Sequence, residues 1–246
     1  MNQSVKKAFE ILSYVVDNPQ RQSLQQMAQA LELNKTTLFR FLHTLESLNL
    51  LDKKGERYVP GIKLFELGSK VPVKQLIVNK IHPLLVELTE EVNETVNMGE
   101  FNNNQVLYLD KTESQRSLQI QTFVGNYIGL YCSALGKSVL SLLPEEKRKQ
   151  IISGLEFKRK TANTITEPRQ LMAVIDDVCK RGYSTDKEEM EEGLNCVAVP
   201  LYIAELSFYG AISCSGPTVR FTPQYIESLA LKLKETVEKI KKVFKS

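Results

Sequence analysis

Two short amphipathic patterns are separated only by Glu32-Leu33-Asn34, and this spacing limits the possible folds more than any other feature of the chain. The first opens at Ser23. Ser23-Leu24-Gln25-Gln26 is a capping-box pattern, and Leu24, Met27, Ala28 and Leu31 fall on one helical stripe. The second runs from Asn34 to Asn49. Leu38, Phe41, Leu42, Leu45 and Leu48 recur at helical spacing, and Asn34 stands where a side chain can accept a free backbone N–H. Two helices joined by so tight a turn predict a helix-turn-helix. The outer face of the second carries Lys35, Thr36, Thr37, Arg40, His43, Thr44 and Ser47, with Glu46 as its lone acid near the far end. Short hydroxyls with Arg and Lys suit the DNA major groove, although an ordinary solvated helix face has a similar composition.

The flanking sequence supports the DNA reading. Ser4 is placed to cap an earlier helix with Val5, Ala8, Phe9, Leu12, Val15 and Val16 inside, ended by Asn18-Pro19. Asn49 can take the left-handed conformation that closes the third helix. The stretch Leu50 to Val59, with Gly55 in its turn, predicts a β-hairpin. Three helices and a hairpin make a winged helix-turn-helix, with Lys53, Lys54 and Arg57 putting positive charge on the wing. Phe39 lies off the inner stripe and is expected to pack against the wing. The first 61 residues hold eight Lys and Arg against six acids, a small excess whose placement matters more than its size.

At 246 residues the chain has room for two domains. We expect residues 1–61 to form the winged domain and residues 62–80 a linker helix. Residues 81–246 then form an α+β domain with an antiparallel sheet. Thr95 to Phe101 and Gln105 to Thr112 flank Asn102-Asn103-Asn104 as a hairpin. A third strand is predicted over residues 118–124, where Leu118, Ile120 and Val124 alternate with Gln119 and Gln121. Helices are predicted from Ser133, from Glu145 and from a Thr166 cap. Strands follow at Tyr183 to Asp186, Cys196 to Ile203 and Phe208 to Ser215, then a last helix capped by Thr222. His82-Pro83 is a possible bend, and His82 is expected on the surface or in packing rather than as a ligand.

Several function classes are disfavoured. Four cysteines without C-x-x-C spacing and two histidines make a zinc site unexpected, and no cofactor or metal is predicted. No export signal or membrane span is visible, so free thiols point to the cytoplasm. A small-molecule enzyme would need Cys196 or Cys132 as nucleophile, helped by Asp186 and the acidic loop Glu188 to Glu192. A thiol nucleophile needs a base, and His43 and His82 lie elsewhere in the sequence, so we expect no catalysis. A thiol-based redox sensor is the other alternative.

These segments together resemble the isocitrate lyase regulator (IclR) type of bacterial transcription regulator. The resemblance rests on SVKKAFEIL, MAQALELNKTTLFRFLHTLESLNLL, RYVPGIKLFELG, GLYCSALGKSVLSLLP, TANTITEP, KRGYSTDKEEMEEGLNCVAVPL and AISCSGPTVRFT, in that order. Asn49 and Asn93 stand where the family often has glycine, and asparagine tolerates the same backbone geometry. The resemblance implies a GAF-like effector-binding domain at the C-terminus and a homodimer or homotetramer. FKRKTANTITEP looks most like the branch that controls sugar-acid and keto-acid catabolism.

Carried over by matching position, the effector pocket would use Ile120, Ala134, Leu135, Asp186, Leu194, Cys196, Ser213 and Ser215. Ser213 and Ser215 alternate on one strand and so share a side. A helix starting after Ser133 would offer backbone N–H groups to a carboxylate. Asp186 would accept from ligand hydroxyls, while Leu118, Ile120 and Leu194 supply apolar walls. The expected function is therefore a repressor whose operator affinity is tuned by a small carboxylic acid, with activation equally compatible with such coupling. Thr36, Thr37, Arg40 and His43 are the expected base or phosphate contacts, with Lys35, Lys53 and Arg57 on phosphates. One reading helix covers only a half-site, so a dimer is required, paired through Ile62 to Glu91.

Overall fold

In the computed structural model the described residues are 2–18, 23–70, 73–116 and 122–245. The chain divides into two compact units, Met1–Gln75 and Leu76–Ser246.

The first unit is built from α1 (Gln3–Asp17), α2 (Leu24–Ala30), α3 (Lys35–Ser47), β1 (Leu51–Lys54), β2 (Arg57–Pro60) and α4 (Ile62–Gly68). Ser23 and Gln26 form the predicted reciprocal capping box at the start of α2. Asn34 caps α3, its Oδ1 accepting from the Thr37 N–H at 2.7 Å. Between them Glu32 takes a positive φ of 52°, which turns the chain sharply enough to cross the two helices. Ile11, Leu12, Val15, Met27, Ala28, Leu38, Leu42, Leu45, Leu51 and Tyr58 form one core. Removing such side chains from water is the main stabilising term for a unit this small.

The sequence placed some of these residues wrongly. Asn2, not Ser4, caps α1, accepting from the Ser4 and Val5 N–H groups. Val5, Phe9 and Val16 are exposed, and Ile11, which the predicted stripe omitted, is fully buried. Leu48 is 54% exposed because α3 ends one residue before it, turning its side chain off the inner stripe. Phe39 is likewise exposed, uncovered by the wing. In that wing β1 and β2 pair antiparallel, Lys54 opposite Arg57, with Gly55 at φ 63° in the two-residue turn. Asn49 takes φ 56° as expected. At Gly61 a Cβ would stand 2.3 Å from the Asn49 carbonyl oxygen, so only glycine lets the strand return this close to the end of α3.

The second unit begins within α5 (Val73–Val92), which continues through Pro83. Its six-stranded sheet has the order β5-β4-β3-β8-β7-β6, with every neighbouring pair antiparallel. The strands are β3 (Thr95–Asn102), β4 (Gln105–Thr112), β5 (Tyr127–Ile128), β6 (Ser184–Lys187), β7 (Leu194–Ile203) and β8 (Phe208–Pro217). One face carries Val96, Met98, Val197, Val199, Ile212 and Cys214 and packs on α5 and on α9 (Pro223–Phe244). The other face packs on α6 (Ala134–Leu142), α7 (Glu145–Ser153) and α8 (Pro168–Arg181) through Val106, Tyr108, Ala198 and Ala211. This is a helix-covered antiparallel α+β domain, consistent with a GAF-like fold.

Thr222 caps α9 as expected, accepting from Tyr225 N–H. Thr166 does not cap α8; the helix starts after Glu167, with Pro168 in its first turn. Proline fixes the helical φ there and supplies no N–H to cap. Of the strand predicted over residues 118–124, residues 118–121 lie outside the described residues, and 122–124 are not in a strand. His82 Nδ1 lies 2.8 Å from Asp110 Oδ2, an exposed ring held by a buried carboxyl. Among the described residues no helix is long and apolar enough to cross a membrane.

Candidate functional site

The outward face of α3 is fixed by what its inward face buries. With Leu38, Leu42 and Leu45 in the core, the 3.6-residue repeat turns Lys35, Thr36, Arg40 and His43 to solvent, while Thr37 is half-buried. The Arg40 side chain has no partner among the described residues. Lys35 Nζ donates to Gln25 Oε1 at 3.3 Å, an exposed contact easily exchanged. Thr44 and Ser47 turn their hydroxyls inward, donating to the carbonyls of Arg40 and Thr44 at 2.9 and 2.7 Å. That leaves Arg40 and His43 as the long reaching groups. On the wing, Lys53 and Arg57 are exposed, and the Lys53 ammonium sits 6.0 Å from the centre of the Tyr58 ring. Every residue predicted to meet DNA therefore lies in the first unit.

The second candidate site is on the sheet face beneath α6. Strand register places Asp186 opposite Cys196, Cys196 opposite Ser215, and Ser215 opposite Thr95. The adjacent row runs Ser184, Ala198, Ser213, Asn97. Directly paired residues share a side, so two rows of polar groups face the helix layer inside an otherwise apolar core. Thr95, Asn97, Asp186, Ser213 and Ser215 are all buried. The start of α6 is tied to this face. Ser184 Oγ donates to the Ala134 carbonyl at 2.6 Å and pairs with Ser138 Oγ at 2.8 Å. Ser133 caps the helix, accepting from Gly136 N–H at 3.0 Å. Ala134, Leu135 and Leu194 are buried beside it, so six of the predicted pocket residues cluster here with Cys196 half-buried among them. Leu118 and Ile120 lie outside the described residues.

Sequence reasoning missed four contributors. Asn97 and Thr95 join the rows only through the β3–β8 register; Asn97 Oδ1 accepts from Thr122 Oγ1 at 2.6 Å. Lys137, 1% exposed on α6, donates to both carboxylate oxygens of Glu189 at 2.5 and 2.6 Å. The Glu189 N–H in turn donates to Asp186 Oδ1 at 2.8 Å. A lysine inside the apolar run of α6 was the available signal, because such a charge is buried only with a partner.

Burial pushes the Asp186 carboxyl up to about 7, against the opposing pull of nearby Lys137. Asp186 thus keeps its proton in the folded chain over a range where the unfolded chain has lost it. Its contribution to stability is full below the ordinary carboxylate value and is lost as pH rises to about 7. Asp186→Asn carries no charge to bury. The variant should therefore gain stability relative to the parent across that window, read as the difference in urea midpoint at acidic and neutral pH. A difference that stays constant over the window would contradict the burial account.

Three of the four thiols are poorly suited to nucleophilic or redox chemistry, while Cys179 on α8 is exposed. Burial pushes Cys132 up to about 11 and raises Cys196 and Cys214 further, so none is a thiolate at neutral pH. The acidic loop is also committed to structure. Glu189 holds Lys137, and Glu188 Oε1 accepts from Gly193 N–H at 2.7 Å.

Comparison with known proteins identifies the family. The family described as "Bacterial transcriptional regulator IclR C-terminal" matches residues 70–242, and "IclR helix-turn-helix domain" matches residues 4–55. The chain is 32% identical over 239 residues to the HTH-type transcriptional regulator KdgR of Escherichia coli (strain K12), covering 96% of this chain and 90% of that one. It is 27% identical over 231 residues to the acetate operon repressor of Salmonella typhimurium, covering 92% and 84%. Among solved structures, the IclR of Thermotoga maritima superposes with a TM-score of 0.76 at 35% identity, covering 98% of each chain.

Proposed function

The chain belongs to the IclR family of bacterial transcriptional regulators, a family of DNA-binding proteins rather than enzymes, and from that premise we propose a repressor released or recruited by a small carboxylic acid. Residues 1–61 read the operator, residues 62–80 link, and residues 81–246 hold the effector. The protein works in the cytoplasm. Arg40, His43, Thr36 and Thr37 enter the major groove, while Lys35, Lys53 and Arg57 meet phosphates.

One observation carries the effector reading: the buried polar rows beside the first turn of α6. A buried polar group needs a partner, and these rows gather several polar side chains on one sheet face inside an apolar core. The first-turn N–H groups of α6 that the Ser133 cap does not take suit a carboxylate. Asp186, Ser213, Ser215 and Cys196 suit hydroxyl or keto oxygens, with Leu118, Ile120, Ala134, Leu135 and Leu194 as apolar surround. A sugar acid or keto acid combines these features. Repression is the role of the acetate operon repressor of Salmonella typhimurium, to which the chain is similar. Burial raises Cys132 and Cys196, which weighs against redox sensing at those two thiols.

A homodimer or homotetramer completes the reading. Ile62, Phe65 and Leu67 of α4 are exposed at 61%, 73% and 52%, an apolar surface suited to a second copy. The test is operator affinity measured with and without the acid that most raises the melting point in a thermal-shift panel.

A further inference from the structure

Beside the DNA-reading face lies a groove of about 410 Å³ whose α1 wall the contacts proposed above leave unused. Gln3, Ser4 and Lys7 of α1 form one wall, and Thr37, Arg40 and Thr44 of α3 the other. No carboxylate lines it, and the first turn of α1 contains no acid. The neighbouring Lys6 pairs with Glu10 at 3.6 Å on the surface, whereas Lys7 has no ion pair among the described residues. The groove therefore concentrates two positive charges, from Lys7 and Arg40, with Gln3, Ser4, Thr37, Thr44 and the Phe41 ring around them. It is continuous with the reading face, because Thr37 and Arg40 belong to both.

We propose that this groove seats a backbone phosphate of the operator, with Lys7 as its cation, on the strand flanking the bases that Arg40 reaches. The inference rests on the DNA-binding reading and extends it from α3 to α1. Two elements then straddle the duplex backbone, so α3 is held in the groove at a fixed angle rather than by its own contacts alone. A phosphate contact carries no sequence information, so Lys7 contributes affinity and register, not base preference.

The test compares the full-length parent with Lys7→Gln, Lys7→Arg and Lys6→Gln, using fluorescence anisotropy on the operator and on a random-sequence duplex over a range of salt. Lys7→Gln should weaken binding to both duplexes by a similar factor. It should also lower the slope of log affinity against log salt by about one per protomer bound. Lys7→Arg should stay near the parent, since any cation serves. Lys6→Gln removes the same charge from the same helix and should change neither quantity. Lys7→Gln matching Lys6→Gln, or losing affinity for the operator alone, would overturn the inference. A parent that binds no duplex would overturn the DNA reading with it, so the two failures are distinguishable.

Discussion

Replacing Arg40 with alanine will weaken operator binding by about 1–3 kcal/mol, roughly 5- to 150-fold, and will relax the preference at one base pair. The reasoning starts from the inner face of α3. Leu38, Leu42 and Leu45 are locked in the core, so the helix cannot rotate, and Arg40 must project outward. Its side chain has no partner among the described residues, so its forked donors are available to a guanine edge. Alanine favours helix, so the substitution leaves folding intact and isolates the contact. Gel-shift titration against the operator and single-base variants separates loss of affinity from loss of preference. Unchanged affinity together with unchanged preference would remove Arg40 from the interface.

The second large effect concerns stability. Lys137→Met should destabilise the chain by about 3–5 kcal/mol, because it leaves the Glu189 carboxylate buried without its cation. The two groups are held at 2.5 and 2.6 Å with Lys137 almost wholly enclosed, so the lost partner is poorly replaced by solvent. The damage should spread, since the Glu189 backbone also supports Asp186 and the loop wraps the start of α6. The double variant Lys137→Met with Glu189→Gln removes both charges and should recover a large part of the loss. Urea unfolding of the four proteins makes the cycle. A double variant as unstable as the single one would show that shape, not charge, holds this corner together.

The parts legible in sequence were those fixed by local chemistry. Asn34, the Ser23–Gln26 box and the short link each specify a helix boundary by a hydrogen bond within three residues, and all three appear as expected. The wing followed from Gly55 and the alternation around it. Periodicity misled where apolar residues serve surfaces instead of the core: Val5, Phe9 and Leu48 repeat at helical spacing yet stand exposed. Cap assignment failed where two competent residues are close, as with Asn2 and Ser4.

In the second unit the alternation of Ser213 and Ser215 was visible, but their neighbours were not. Asn97 and Thr95 reach the same face only through a pairing between β3 and β8, strands far apart in the chain. The Lys137–Glu189 pair likewise needs α6 to meet the loop after β6. Such contacts depend on topology, which residue spacing does not encode.

The most direct measurement is operator affinity by fluorescence anisotropy, with and without the stabilising acid, for the parent and for Ser213→Ala and Asp186→Ala. The account predicts that the acid changes parent affinity by about 5- to 150-fold, the usual range for coupling between two sites. Both variants should bind the duplex as the parent does without acid and lose most of the response. An acid that stabilises the parent yet leaves its grip on the duplex unaltered, or variants that respond as fully as the parent, would contradict it.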